Sequence, residues 1–231
     1  LPKPTVRHEI FPEYKANRNE TPEAIKIAVP YIKKILEGLN IPALGVEGYE
    51  ADDVIGTLAK KAEKEGYTTY MMTPDKDFGQ LVSENIFMFK PGRSGNPPEI
   101  WGPKEVCEKF EIERVDQVID FLGMMGDAVD NIPGLPGVGQ KTAQKLLAQY
   151  GSLENTLANA HEIKGKLGEK IRDNKEQGIL SKQLATIMLD APIDFDHEDL
   201  LRGELNPEII QPIFEELEFR SLAKKIMVNV A

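Results

Sequence analysis

Carboxylates stand in three tight groups along this chain, and carboxylate oxygens at such spacings could hold hard metal ions. Glu50, Asp52 and Asp53 open the run EADDVIGTLAKKAEKE, with acids first and lysines later, the charge order a helix macrodipole favours. Asp75 and Asp77 follow directly on the strand-like run YTTYMMT, and Asp127 and Asp130 lie in GMMGDAVDNIPG. Each group also has an ordinary reading. The first fits helix N-terminal electrostatics, the second turn chemistry at Pro74-Asp75, and the third a helix cap. If the three converge, seven carboxylates would repel and resist ionisation unless cations neutralised them. Oxygen-only ligation points to Mg²⁺ or Mn²⁺ rather than zinc. Two such ions about 4 Å apart can stabilise both the attacking and the leaving oxygen of a phosphodiester displacement. An EF-hand is excluded, because its required glycine would fall at Gln80 and its bidentate glutamate at Ile86.

A second chemistry-bearing stretch is NIPGLPGVGQKTAQKLLAQYG, residues 131–151. Its core, Gly137-Val138-Gly139, is followed by Gln140, Lys141, Thr142 and, one turn on, Lys145. No strand precedes it and the glycine spacing differs from a dinucleotide fingerprint. Paired glycines that open a helix leave backbone N–H groups free to hold a phosphate, and such contacts carry no base information. The plain alternative is a tight interhelical turn. The string Gly-x-Gly-x-Lys-Thr-Ala resembles a helix-hairpin-helix DNA-binding element, with Gly134 in the same loop.

Elements must position these groups. Thr21-Pro22-Glu23 predicts a helix start with Thr21 as N-cap, and Ile25, Val29, Ile32, Ile35 and Leu36 recur at helical spacing, with Pro30 expected to kink or interrupt the run. Ile41–Val46 reads as a short strand, Glu50–Glu65 as a helix ended by Gly66, Tyr67–Thr73 as a strand, Asp77–Ser83 as a short helix and Ile86–Phe89 as a second strand. Helices alternating with strands imply a parallel sheet. Pro91–Pro98 is turn-rich, and the pattern turns helical from Gly102 onward. That shift sets the expected organisation: an α/β part over 1–102, a helical DNA-binding part over 103–200, and a helical end over 201–231.

The 231 residues carry 28 bases and 38 acids, a net charge of −10. An acidic chain argues against nucleic acid. The objection weakens if the seven grouped acids sit in one metal site, because the remaining acids nearly balance the bases. A single cysteine, Cys107, permits no internal disulfide, and the three histidines are too scattered to complete a zinc set with it. No stretch is long and apolar enough to span a membrane, and no leader opens the chain. A reducing cytoplasmic setting is expected.

Three segments, GYEADDVIGTLAKKAEKEGY, TPDKDFGQLVS and GDAVDNIPGLPGVGQKTA, occur in order, and together they resemble the 5′-nuclease domains of bacterial DNA polymerase I, relatives of the flap endonucleases. The resemblance runs from VRHEIFPEYKANR to LEFRSLAKKI. It implies a sheet of the PIN/5′-nuclease kind flanked by helices, an arch, and a helix-hairpin-helix module. It carries metal ligation to Glu50, Asp52, Asp53, Asp75, Asp77, Asp127 and Asp130. It puts Arg7, Tyr14, Lys15 and Arg18 near the scissile phosphate, and the hairpin residues Gly134, Gly137, Gly139, Gln140, Lys141, Thr142 and Lys145 on the duplex backbone, with K⁺ at the hairpin. The implied activity is Mg²⁺- or Mn²⁺-dependent removal of 5′ flaps and RNA primers, using two or more ions, in a bacterial, nucleoid-associated setting. The implied partners are flapped, nicked or primer-bearing DNA and the polymerase domains of a parent chain. The family's opening strand with an Asp-Gly-His segment has no counterpart, and a further aspartate would fall just ahead of Leu1. Two ligands and two strands are therefore expected to be missing, with an open sheet edge, dimerisation or separately supplied strands as consequences. Two other functions compete: a branched-DNA-binding fragment that does not cut, and an aspartyl-phosphate phosphatase built on Asp75-Lys76-Asp77.

Overall fold

A computed structural model describes residues 4–92, 95–193 and 196–227 of the chain. The described residues fall into two compact units, one taking in residues 4–18 and 47–191 and the other residues 19–46 and 192–227. In chain order the elements are α1 (Val6–Ile10), α2 (Glu23–Gly38), α3 (Ala51–Lys64), β1 (Thr69–Met72), a 3-10 turn (Lys76–Leu81), β2 (Ile86–Lys90), β3 (Glu99–Trp101), α4 (Pro103–Phe110), α5 (Gln117–Met125), α6 (Gln140–Tyr150), α7 (Leu153–Ala158), α8 (Gly165–Asp173), α9 (Lys175–Ala185), a second 3-10 turn (His197–Leu200), α10 (Pro207–Glu216) and α11 (Arg220–Met227).

The larger unit holds the sheet, in the order β1-β2-β3 with β1 at one edge. β1 and β2 run parallel, as the alternation of elements predicts, with Met71 beside Met88. β3 runs antiparallel to β2, so the sheet is mixed rather than parallel throughout. The turn-rich stretch before Glu99 returns the chain directly to β2, and no crossover helix is needed. Met71, Ile86, Met88 and Trp101 point to one buried face and pack with Phe78 and Leu81 of the 3-10 turn, Val106 and Phe110 of α4, and Phe121 of α5. The same core continues through Leu146 and Leu147 of α6 to Leu153 and Ile171. α5 and α9 lie against each other so closely that a Cβ on Gly123 would stand 2.7 Å from the Cα of Lys182. Only a residue without a side chain permits that approach.

The smaller unit pairs α2 with α10. Asn206 caps α10 by accepting from the Glu208 N–H at 3.1 Å, with Pro207 in the first turn. Some expectations differ from the structure here. Pro22, not Thr21, is the N-cap of α2, and it offers no side-chain cap bond. The helix runs on through Pro30, which is exposed, so the lost backbone hydrogen bond lies toward solvent. The stripe of α2 is not a buried face of this unit, since Ile25 and Ile32 are each 52% exposed. Ile41–Val46 forms no strand. Pro42 lacks a ladder donor, and β-branched residues alone do not make a strand without a partner. α1 is a helix that the sequence reading passed over, and at five residues it is too short to show a period.

Candidate active site

Glu50 is the N-cap of α3, and the Asp53 side chain reaches back to the Glu50 N–H at 3.0 Å. Asp53 is 1% exposed and faces Arg7, itself 3% exposed. Arg7 donates to both Asp53 oxygens, at 2.7 and 2.8 Å, and also to the backbone oxygens of Leu184 and Thr186. The Met188 N–H adds a further bond to Asp53 at 2.9 Å. Every oxygen of this carboxylate is therefore engaged. The Arg7 fork and two backbone N–H groups hold the Asp53 carboxyl below the ordinary range despite its burial. Asp53 is thus a buried ion-pair partner with both oxygens engaged, and four of the five Arg7 N–H donors are used inside the fold, while Nη1 also lies 3.7 Å from Glu50.

Tyr14, Lys15 and Arg18 do the work of gathering. The segment that carries them docks on the loop 127–131. The Lys15 N–H donates to the Asp130 carbonyl at 2.9 Å, Asn17 donates to the Ala128 carbonyl, and Asn131 donates to the Glu13 carbonyl. Lys15 takes a left-handed backbone, φ +57°, which the Asp130 bond and its ion pairs hold in place. Its ammonium lies 2.6 Å from Glu50 and 3.5 Å from Asp130, and so joins the first and third acid groups. The buried Tyr14 hydroxyl lies 3.1 Å from Glu50 and 3.4 Å from Asp130, and burial against these carboxylates raises its pKa. Arg18 pairs with Asp130 from the solvent side.

The second group enters from the sheet. β1 ends at Met72, and Asp75 caps the following 3-10 turn by accepting from the Asp77 N–H at 3.0 Å. Asp77 Oδ1 is buried and has no hydrogen-bond partner. Burial, then Asp75, with Asp127 and Asp130 adding less, pushes the Asp77 carboxyl up to about 7. Burial, then Asp75 and Glu50, raises Asp52 to about 6. Burial is the larger cause in each, and the carboxylates that add to it come from more than one group, so the groups act on a shared region. Asp127 holds its own loop, accepting from the Val129 N–H at 2.7 Å, while its backbone pairs with Ile132.

Among the described residues, no three His, Cys, Asp or Glu side chains stand close enough to form a single-ion cage. The acids are spread around a shared region, and their positive neighbours, Lys15 and Arg18, stand among them. The donor set of Glu50, Asp52, Asp75, Asp77, Asp127 and Asp130 is all oxygen, includes one unpartnered buried oxygen, and repels itself. Those are the properties a hard divalent cation satisfies.

The hairpin is also formed. Gly139 caps α6, whose first N–H groups have no intrahelical partner. Gly137 (φ +85°), Gly139, Gln140, Lys141 and Lys145 are exposed and Thr142 is half-buried. Lys141 pairs with Glu111 at 2.8 Å. Gly134 stands apart from these residues. It is buried, its N–H donates to Ser181 at 2.9 Å and its carbonyl accepts from Gln177. At φ +65°, a Cβ there would strike the Met125 carbonyl at 2.7 Å. Gly134 lets two backbones meet, with its N–H and its carbonyl both bonded inside the fold. Ser181, Gln177 and the backbone acceptors of Arg7 escaped the sequence reading, because nothing local marks a residue that bonds 43 to 179 positions away.

Comparison with known proteins gives concordant matches. The profile described as 5′-3′ exonuclease, N-terminal resolvase-like domain, matches residues 2–111, and that described as 5′-3′ exonuclease, C-terminal SAM fold, matches residues 113–208. DNA polymerase I of Bacillus caldotenax and that of Bacillus subtilis are each 42% identical over 225 residues, 97% of this chain. The chain spans about a quarter, 26%, of those relatives' length. Among solved structures, T5 5′-exonuclease with bound zinc matches with a TM-score of 0.69 at 20% identity, covering 92% of this chain and 80% of that one. The catalytic core of Rad2 in complex with DNA substrate matches at 0.63 and 16%, covering 99% and 76%. At such identities these structures establish a shared fold.

Proposed function

This chain belongs to the 5′–3′ exonuclease family, and from that premise we propose that it is a divalent-metal-dependent 5′ nuclease acting on flapped, nicked or primer-bearing DNA. The observation that carries this reading is the meeting of acid groups from distant segments, with Lys15 spanning Glu50 and Asp130 and the buried Asp77 oxygen left without a partner. Glu50, Asp52, Asp75, Asp77, Asp127 and Asp130 would hold Mg²⁺ or Mn²⁺, two or more ions in all. When bound, the metal supplies a nucleophile at neutral pH and offsets charge on the attacking and leaving oxygens. The chain's own residues do the rest. Lys15 and Arg18 orient Glu50 and Asp130 and place positive charge where a phosphate diester must approach. Arg7 and Asp53 fix the start of α3 against residues 184–188, and so set the Glu50 backbone. The exposed N-terminus of α6, with Lys141 and Lys145, grips the duplex backbone without reading bases, and K⁺ occupies the hairpin. Residues 1–102 would form the nuclease core, 103–200 the DNA-binding part and 201–231 the helical end. On this reading the chain works beside polymerase domains of a parent chain, in primer and flap removal in the bacterial cytoplasm at the nucleoid, a role that the likeness to DNA polymerase I supports. No described helix is long and apolar enough to cross a membrane.

The test is a labelled 5′-flap duplex incubated with this chain in Mg²⁺ or in EDTA, scoring cleavage and band shift together. Cleavage should require the metal and fall roughly 100-fold or more in Asp77→Asn and Asp127→Asn. Cutting that persists in EDTA, or in both variants, overturns the metal assignment. A metal-independent band shift without cutting would instead make the chain a DNA-binding module.

A further inference from the structure

The chain has one tryptophan, Trp101, and two lysines gather on it. Lys90, the last residue of β2, sets its ammonium 3.7 Å from the centre of the indole, and Lys109 of α4 sets its own at 5.4 Å. Neither lysine forms an ion pair among the described residues. The carboxylate of Glu99 is held by the indole N–H at 2.7 Å. Two ammonium groups on one ring repel each other, and burial, with Lys109 adding to it, lowers the pKa of Lys90 against the opposing pull of Glu99 and Asp75. An anion lying between the two ammonium groups would offset what remains of that repulsion. The place is also telling. The Thr73 N–H donates to the Phe89 carbonyl at 3.2 Å, so Lys90 leaves the sheet beside the turn that carries Asp75 and Asp77. This is the carboxyl end of two parallel strands, where open α/β sheets bind ligands.

We propose that Lys90 and Lys109, seated on Trp101, form a phosphate subsite beside the acidic cluster that holds a backbone phosphate of the substrate strand away from the reacting bond. The subsite rests on the nuclease reading for the identity of its ligand, and its lysines are positioning residues. The indole fixes both ammonium groups through cation–π attraction, which limits the ordering cost on binding.

Trp101 is a built-in reporter, since no other tryptophan contributes emission. Wild type, Lys90→Met, Lys109→Met, the double variant and Lys90→Arg are titrated with a fluorescein-labelled 5′-flap duplex in EDTA across a salt series. DNA anisotropy and Trp101 emission are read together, after thermal melts confirm folding. Wild-type emission should change on binding. Each Lys→Met change should weaken binding several-fold and reduce the slope of log affinity against log salt by about 1, while Lys90→Arg keeps both. A double variant that matches the wild-type affinity and slope overturns the subsite and leaves the nuclease reading standing. If wild type binds no DNA, the nuclease reading fails. Pyrophosphate titration then decides the subsite, which survives if emission responds in wild type but not in the double variant and falls if wild type does not respond.

Discussion

At the scale of single residues, two carboxylates of one helix turn end with opposite electrostatics. Asp53 faces an arginine fork and two backbone N–H groups, and its charge is stabilised. Asp52, its neighbour, faces Asp75 and Glu50, and its charge is resisted. Arg7→Ala should therefore cost about 3–5 kcal/mol in denaturant unfolding, because it strands a buried charge. A loss near zero would show that the pair contributes little. Asp77 behaves in the other sense. Its pKa of about 7 in the folded chain lies above its unfolded value, so the folded state keeps a proton that the unfolded chain has released. That contribution is fully present below about pH 4, and is lost as pH rises through 7. Asp77→Asn in EDTA should accordingly melt higher than wild type at pH 8, and the gap should shrink by pH 5. A gap independent of pH would refute this account of Asp77.

At the scale of elements, geometry is set by close backbone approaches more than by propensity. α5 and α9 pack through Gly123 against the backbone of Lys182, and this seam carries Ser181, which holds Gly134 and hence the loop leading into α6. Gly123→Ala should destabilise the chain by about 1–3 kcal/mol through overpacking, measured by thermal melting. An unchanged melting temperature would mean that α9 can slide away at no cost. The same logic explains why the hairpin reads well from sequence in one half only. The exposed half, Gly137 to Lys145, follows a local pattern of glycines before a helix. The buried half, Gly134, is defined by partners on α5 and α9 and has no local mark.

At the scale of the whole molecule, the net charge of −10 is not evenly spread. Six of the acids crowd one region, where Glu50 and Asp130 pair with Lys15 and Arg18 and Asp77 Oδ1 is buried without a partner. Millimolar Mg²⁺ at pH 8 should raise the melting temperature of wild type, since a ligand bound only by the folded chain stabilises it. The rise should disappear in an Asp77→Asn/Asp127→Asn double variant, and an equal rise in both would locate the metal effect elsewhere. The repulsion that makes the apo site costly is the same property that makes it receptive to cations.

The sequence alone determined the three acid groups, the helix beginning at Glu50, the strands flanking Asp75 and Asp77, and the glycine hairpin, because caps, turn residues and alternation act over a few positions. Tertiary structure decided the electrostatics of each acid. Asp53 and Asp52 are adjacent and chemically identical, and only the approach of Arg7 and of residues 184–188 separates a stabilised carboxylate from a resisted one. It also added β3 antiparallel to β2, took Ile41–Val46 out of the sheet and brought two lysines onto Trp101. In each case the cause is a neighbour distant along the chain, and contact with it is set by packing, which no local pattern encodes.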